Sequence, residues 1–200
     1  MQVDVNIDRL VPRIASTLNK LLIKNDFDSL TVTDISREAG FSRQYFYRAF
    51  ADKHALCVEL FAYDMKTGID EQTSQPSYHK VLEHIMKNAR IYKSIFQSSY
   101  SSYLFDLMFN SAMELIRATA DHVGMSTFTR EQDNSLRLYL LGATSMLVKF
   151  LTGGEHFSKD ELEKIFYDNA PSFLAPLKRE TVPKDFLVRR LAKYLEDRLI

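Results

Sequence analysis

Apolar residues recur at helical spacing along nearly the whole chain, and this constrains the fold more than any other feature. From Leu10, the positions Val11, Ile14, Ala15, Leu18, Leu21 and Leu22 share one face of a helix. Strand-like alternation is nearly absent, no internal repeat appears, and only six glycines and five prolines punctuate the 200 residues. The spacing predicts an all-α chain. A short second helix is expected to open at Thr31, with Asp34 as its capping-box partner, and to stop at Gly40. A third follows Ser42 and runs to Phe50. A fourth follows Asp52 and runs through Leu56, Leu60 and Phe61 to Met65 or beyond. The polar run Asp70–Ser77 reads as a linker, and further helices are expected at 78–97, 101–123, 130–152, 159–170 and 184–199. Thr129 with Gln132 and Ser158 with Glu161 mark two of those starts, and Gly153-Gly154 separates two of the helices.

Composition narrows the class. At 46% hydrophobic the chain can bury a sizeable core, and charges interrupt every apolar stretch before it could span a membrane. The start MQVDVNIDRL lacks the basic and apolar regions of a signal peptide, and Cys57 is the single cysteine. A cytoplasmic protein without a disulfide framework is expected. Net charge is zero, and residues 1–65 hold eight Lys/Arg against nine Asp/Glu. That counts mildly against nucleic acid, because phosphate neutralisation favours a basic surplus. The positions of the charges must carry the case.

Two short helices joined by a few residues, one of them glycine, are the pattern of a helix-turn-helix, here Thr31 to Phe50. On a helical wheel at about 100° per residue, Phe46, Phe50, Ser42 and Ala49 fall on the inward side of the second helix. Gln44 and Arg48 point outward, Tyr45 and Tyr47 lie on the shoulders, and Arg43 sits nearer one edge. Arg and Gln read guanine and adenine edges with paired hydrogen bonds. Lys53, at the start of the next helix, adds an ammonium to free backbone N–H groups that can hold a phosphate. An exposed polar face would look similar, but two tyrosines flanking arginines suit a groove better than plain solvent cover.

Residues 10–61 resemble the N-terminal domain of the TetR/AcrR family of bacterial regulators. The matching residues are Leu30-Thr31-Val32, Asp34-Ile35, Ala39-Gly40-Phe41-Ser42, Phe46-Tyr47-Arg48, Phe50, Asp52-Lys53 and Ala55-Leu56, without a gap. The resemblance implies phosphate contacts from Tyr47 and Lys53, a DNA contact from Thr33, and base reading by Arg43, Gln44 and Tyr45. The chain departs at Ala49, where many members carry a DNA-contacting histidine. The chain then divides into a helix-turn-helix head over 1–53 and an effector-binding and dimerisation body over 54–200.

In the body, Leu136–Leu151 is apolar nearly all round, so it needs cover on more than one side. A dimer interface is expected from Leu140, Leu147 and Phe150 with Leu162, Ile165 and Phe166, and a central helix in a monomer is the alternative. Tyr92, Phe96, Tyr100, Tyr103, Phe109 and Met113, with Phe105 and Met108, form an aromatic cluster that would suit an apolar or aromatic small-molecule effector. Such a stripe is also ordinary core, and the residues leave both readings open. His84, Asn88, Asn110 and His122 are its candidate polar anchors. The helix at 184–199 can cover either the body or the dimer.

No phosphate loop, His-Glu-x-x-His or metal-ligand spacing is present, and His54, His79, His84, His122 and His156 are scattered. Neither a cofactor, a metal nor an enzymatic activity is expected. The expected function is a homodimeric repressor on a palindromic double-stranded DNA operator, released by the effector. A coactivator or regulator working through protein contacts is the alternative.

Overall fold

The computed structural model of the chain describes residues 6–69, 78–125, 128–154, 157–177 and 182–196, with backbone only for 78 and 79. The linker expected at 70–77, the end of the last helix at 197–199, and His156 lie outside these residues. Ten α-helices are present among the described residues: α1 (Ile7–Leu21), α2 (Val32–Ala39), α3 (Arg43–Ala49), α4 (Lys53–Gly68), α5 (Tyr78–Lys87), α6 (Ala89–Phe96), α7 (Ser101–His122), α8 (Arg130–Thr152), α9 (Lys159–Asp168) and α10 (Lys184–Glu196). The fold is all-α. No helix among the described residues is long and apolar enough to cross a membrane.

Local chemistry sets most helix ends. Asn6 accepts a hydrogen bond from the Arg9 amide at 3.1 Å and starts α1 one turn before its apolar stripe begins. Reciprocal capping boxes open α2 at Thr31, α8 at Thr129 and α9 at Ser158, as the sequence predicts. Gly40 and Gly153 close α2 and α8 in the left-handed region, at φ 71° and 80°.

One break has a tertiary cause. The expected helix over 78–97 is two helices, parted at Asn88. The Asn88 side chain donates to both carboxylate oxygens of Asp64 on α4, at 3.2 and 3.1 Å, and accepts from Asn19 of α1 at 3.4 Å. A hydrophobic period carries no sign of such a bond.

The main core is continuous from α1 to α10. Phe27, fully buried, belongs to the loop after α1; its amide donates to Ser94 Oγ and its ring meets Tyr100 edge-on at 5.3 Å. The loop after α1 also reaches the start of α7, where the Ser99 amide and hydroxyl both donate to Asp28. The last helix, α10, packs Leu187, Leu191 and Leu195 against α7 and α4. Its Arg190 reaches Glu114 at 3.1 Å and Asp121 at 3.5 Å, so this helix covers the body. A second cluster lies apart from the main core, with Phe109, Met113, Leu136, Leu140, Leu174 and Leu177.

Candidate nucleic-acid interface

Helix α3 stands on two rings. Phe46 and Phe50 are buried, with centroids 5.1 Å apart, and they fix which side of α3 faces out. Burying such a ring is worth roughly 1.5–3 kcal/mol, ample to orient a seven-residue helix. Gly40 makes the turn from α2 possible, and an added Cβ there would also meet an Arg13 guanidinium nitrogen at 3.2 Å. The Arg13 guanidinium in turn lies 5.9 Å from the centre of the Phe41 ring.

The structure leaves Arg43, Gln44, Tyr47 and Arg48 exposed on the outer side of α3. Arg43 and Arg48 form no ion pair among the described residues, whereas Arg37 on α2 is held by Asp34 at 2.7 Å. Hydrogen bonds from the Thr31 hydroxyl and amide, with Arg37 nearby, hold the Asp34 carboxyl below the ordinary carboxylate range. That acid is thereby committed to its own helix. Ser42 Oγ accepts from the Tyr45 amide at 3.1 Å, which leaves its proton free to donate outward. Thr33 is exposed in the first turn of α2.

Two expected contacts are placed differently. Tyr45 is half-buried, with its ring 5.5 Å from Phe41, while Tyr47 is 49% exposed, so the two tyrosines do not flank α3 alike. Lys53 Nζ donates to the carbonyls of Phe27, Asp28 and Leu30 at 2.9, 3.2 and 2.9 Å. All three ammonium protons are engaged in bracing the loop before α2. A phosphate contact from Lys53 would require exchanging one of those bonds.

Further along α4, Asp64 is buried between α1 and α6. Burial outweighs the hydrogen bonds from Tyr92 (2.7 Å) and Asn88, and raises its carboxyl to about 6. Cys57 on the same helix is buried, and desolvation pushes its thiol up to about 12, so little thiolate forms at neutral pH.

The structure disperses the aromatic residues that the sequence groups together. Tyr92 serves Asp64, and Phe96 lies in the main core. Tyr100 sits against His54 at 4.0 Å between ring centres, and Tyr103 lies 5.2 Å from the same imidazole. Phe109 and Met113 belong to the second cluster. None of the six lines the apolar cavity of about 190 Å³ that opens between α4, α5, α7, α8 and α9. His84, Asn88, Asn110 and His122 do not line it either. Neighbours in sequence turned onto different faces at the α6–α7 junction, and composition alone could not show it. The cavity is instead bounded by residues such as Phe61 and Met65 of α4, Ile85 of α5, Met108 and Ala112 of α7, Ala143 and Thr144 of α8 and Phe166 of α9. Alanines facing one another from separate helices were the available signal.

The expected dimer residues are placed as follows. Leu140, Leu147, Leu162 and Phe166 are buried within the chain itself. Phe150 and Ile165 are half-buried. The outward apolar residues are Leu138, 73% exposed, Leu141, 42%, and Tyr167, 67%. Because α8 is apolar nearly all round, its period could not say which side faces in.

Residues 14–60 match the family described as bacterial regulatory proteins, tetR family. No curated protein matches the chain. One solved structure similar in fold is the dihydroxyacetone kinase operon activator DhaS, with a TM-score of 0.54 and 19% sequence identity, covering 86% of this chain and 98% of that one. That likeness bears on the fold. Residues 14–60 thus form a helix-turn-helix head similar to that of bacterial regulatory proteins of the tetR family, with an all-helical body behind it.

Proposed function

We propose that this regulator is a homodimer that reads a palindromic DNA operator through α3 and represses transcription until a small molecule bound in the body releases it. The observation that carries the reading is the outer side of α3. Arg43, Gln44 and Arg48 are exposed and uncommitted on a helix whose inner side is locked by Phe46 and Phe50. Arg43, Gln44 and Arg48 take the base edges; Tyr47, Ser42 and Thr33 take phosphates; Tyr45 contributes its exposed edge while packed on Phe41. Lys53 shapes the surface by holding the 27–30 loop, and its N-terminal position on α4 lets it turn to a phosphate.

The head over 1–53 does the reading, and the body over 54–200 binds effector and partner. The partner is a second copy seated on the outer side of α8 and α9, where Leu138, Leu141 and Tyr167 are exposed. Two-fold pairing would space the reading helices for half-sites about 34–36 Å apart, or a multiple of that. The effector acts through α4, which lines the cavity with Phe61 and Met65 and anchors the head with Lys53. It shifts the equilibrium only by its differential affinity for the two arrangements. We place the protein in the cytoplasm, with its operator.

The near balance of acids and bases in the head favours one second reading, a coactivator working through protein contacts. The structurally similar DhaS bears the name of an operon activator. Selection from a random DNA pool by the purified full chain, at fixed moderate salt, separates the two. An enriched inverted repeat is expected. Arg48→Ala should cost about 1–3 kcal/mol of specific affinity in a titration of that repeat, with the fold unchanged by circular dichroism. A folded wild-type protein that enriches nothing would favour the coactivator.

A further inference from the structure

Protein interiors are packed so closely that voids larger than a water molecule are few. The body cavity, at about 190 Å³, exceeds the ~150 Å³ that lets an engineered apolar site hold benzene. It is kept open by small side chains, Ala112, Ala143 and Ala170, contributed from α7, α8 and the turn after α9. Any larger residue at these places would project into the space.

Its lining is chemically one-sided. Among the described residues no charged side chain borders it, and the polar side chains there are the hydroxyls of Thr119 and Thr144. Thr119 gives its proton to the Leu115 carbonyl at 2.8 Å, so its oxygen can only accept. Thr144 makes no hydrogen bond among the described residues, so its hydroxyl can both donate and accept. An ion entering here would lose its hydration and meet no opposite charge among the described residues, which is strongly unfavourable. The volume suits one ring with a short substituent, about eight or nine non-hydrogen atoms.

We propose that this cavity takes a neutral, ring-sized, largely hydrocarbon molecule with at most one hydroxyl or carbonyl, held by Thr144, and rejects carboxylates and amines of the same shape. This rests on the effector-controlled reading above and narrows it to a class of ligand.

The test uses the purified full chain and four probes of one shape: ethylbenzene and benzyl alcohol, against benzoate and benzylammonium. Binding is read at pH 7.5 by saturation-transfer NMR titration and by the shift in thermal midpoint. The neutral probes should bind about thirtyfold or more tighter than either ion. Ala112→Phe should abolish neutral binding while keeping the helical circular dichroism, and Ala143→Phe serves where the first variant does not fold. Thr144→Val should weaken benzyl alcohol several-fold and leave ethylbenzene unchanged. The proposal is overturned by ions binding as tightly as benzyl alcohol, by neutral binding that survives both filled variants, or by a folded protein that binds no neutral probe. Retention of the selected operator is scored in the same samples without probe. Operator binding without probe binding overturns the ligand class alone, while probe binding without operator binding upholds it and removes the DNA-reading function.

Discussion

The short helix α3 and the long helix α8 solve the same problem in opposite ways. Each buries an apolar stripe, but α3 leaves arginine, glutamine and tyrosine outside, whereas α8 leaves Leu138 and Leu141. A polar outer side keeps α3 in water until DNA replaces that water. The exposed leucines of α8 are where the proposed second copy would seat. The lesson is that the outer surface of a helix, which its own fold leaves free, is where function is written.

The largest effect should come from the inner side of α3. Phe46→Ala removes a fully buried ring and should cost about 3–5 kcal/mol in urea denaturation, enough to unfold the head. A loss under about 1 kcal/mol would mean that α3 is not seated on this ring.

Next comes the contrast between neighbours on α8. Leu140→Ala should cost about 2–5 kcal/mol, because Leu140 is 2% exposed. Leu141→Glu should leave a monomer's stability nearly unchanged and shift sedimentation from dimer to monomer. Equal unfolding by both substitutions would erase the inner and outer sides drawn here.

A third test concerns the joint between head and body. The folded carboxyl of Asp64, at about 6, lies above its ordinary 3.8. Its contribution to stability is therefore fully present below about pH 3.8 and is lost as pH rises through about 6. Asp64→Asn should remove that part of the pH dependence, worth roughly 2–3 kcal/mol, in denaturation curves between pH 4 and 8. Parallel curves for the two proteins would contradict it. The smallest effect is expected at the helix cap: Ser42→Ala should cost about 1 kcal/mol of stability, read as a lower urea midpoint.

The head was largely legible because its determinants are local. Thr31 with Asp34, Gly40, Ser42 and the Phe46–Phe50 stripe act over spacings of three or four residues. Lys53 was only half legible. Its place at the start of α4 follows from the chain, but its three carbonyl partners lie more than twenty residues away. The same limit hid the break at Asn88 and scattered the aromatic cluster.

Sequence alone determined the all-helical class, most helix ends and the outward set on α3, since each depends on hydrogen bonds and burial within one or two turns. Tertiary structure decided which side of α8 faces out, what Asp64 and Lys53 hold, and where the cavity opens. Those depend on how helices distant in the chain meet. A cavity in particular is the place where five of them do not quite touch, and no single helix carries that information.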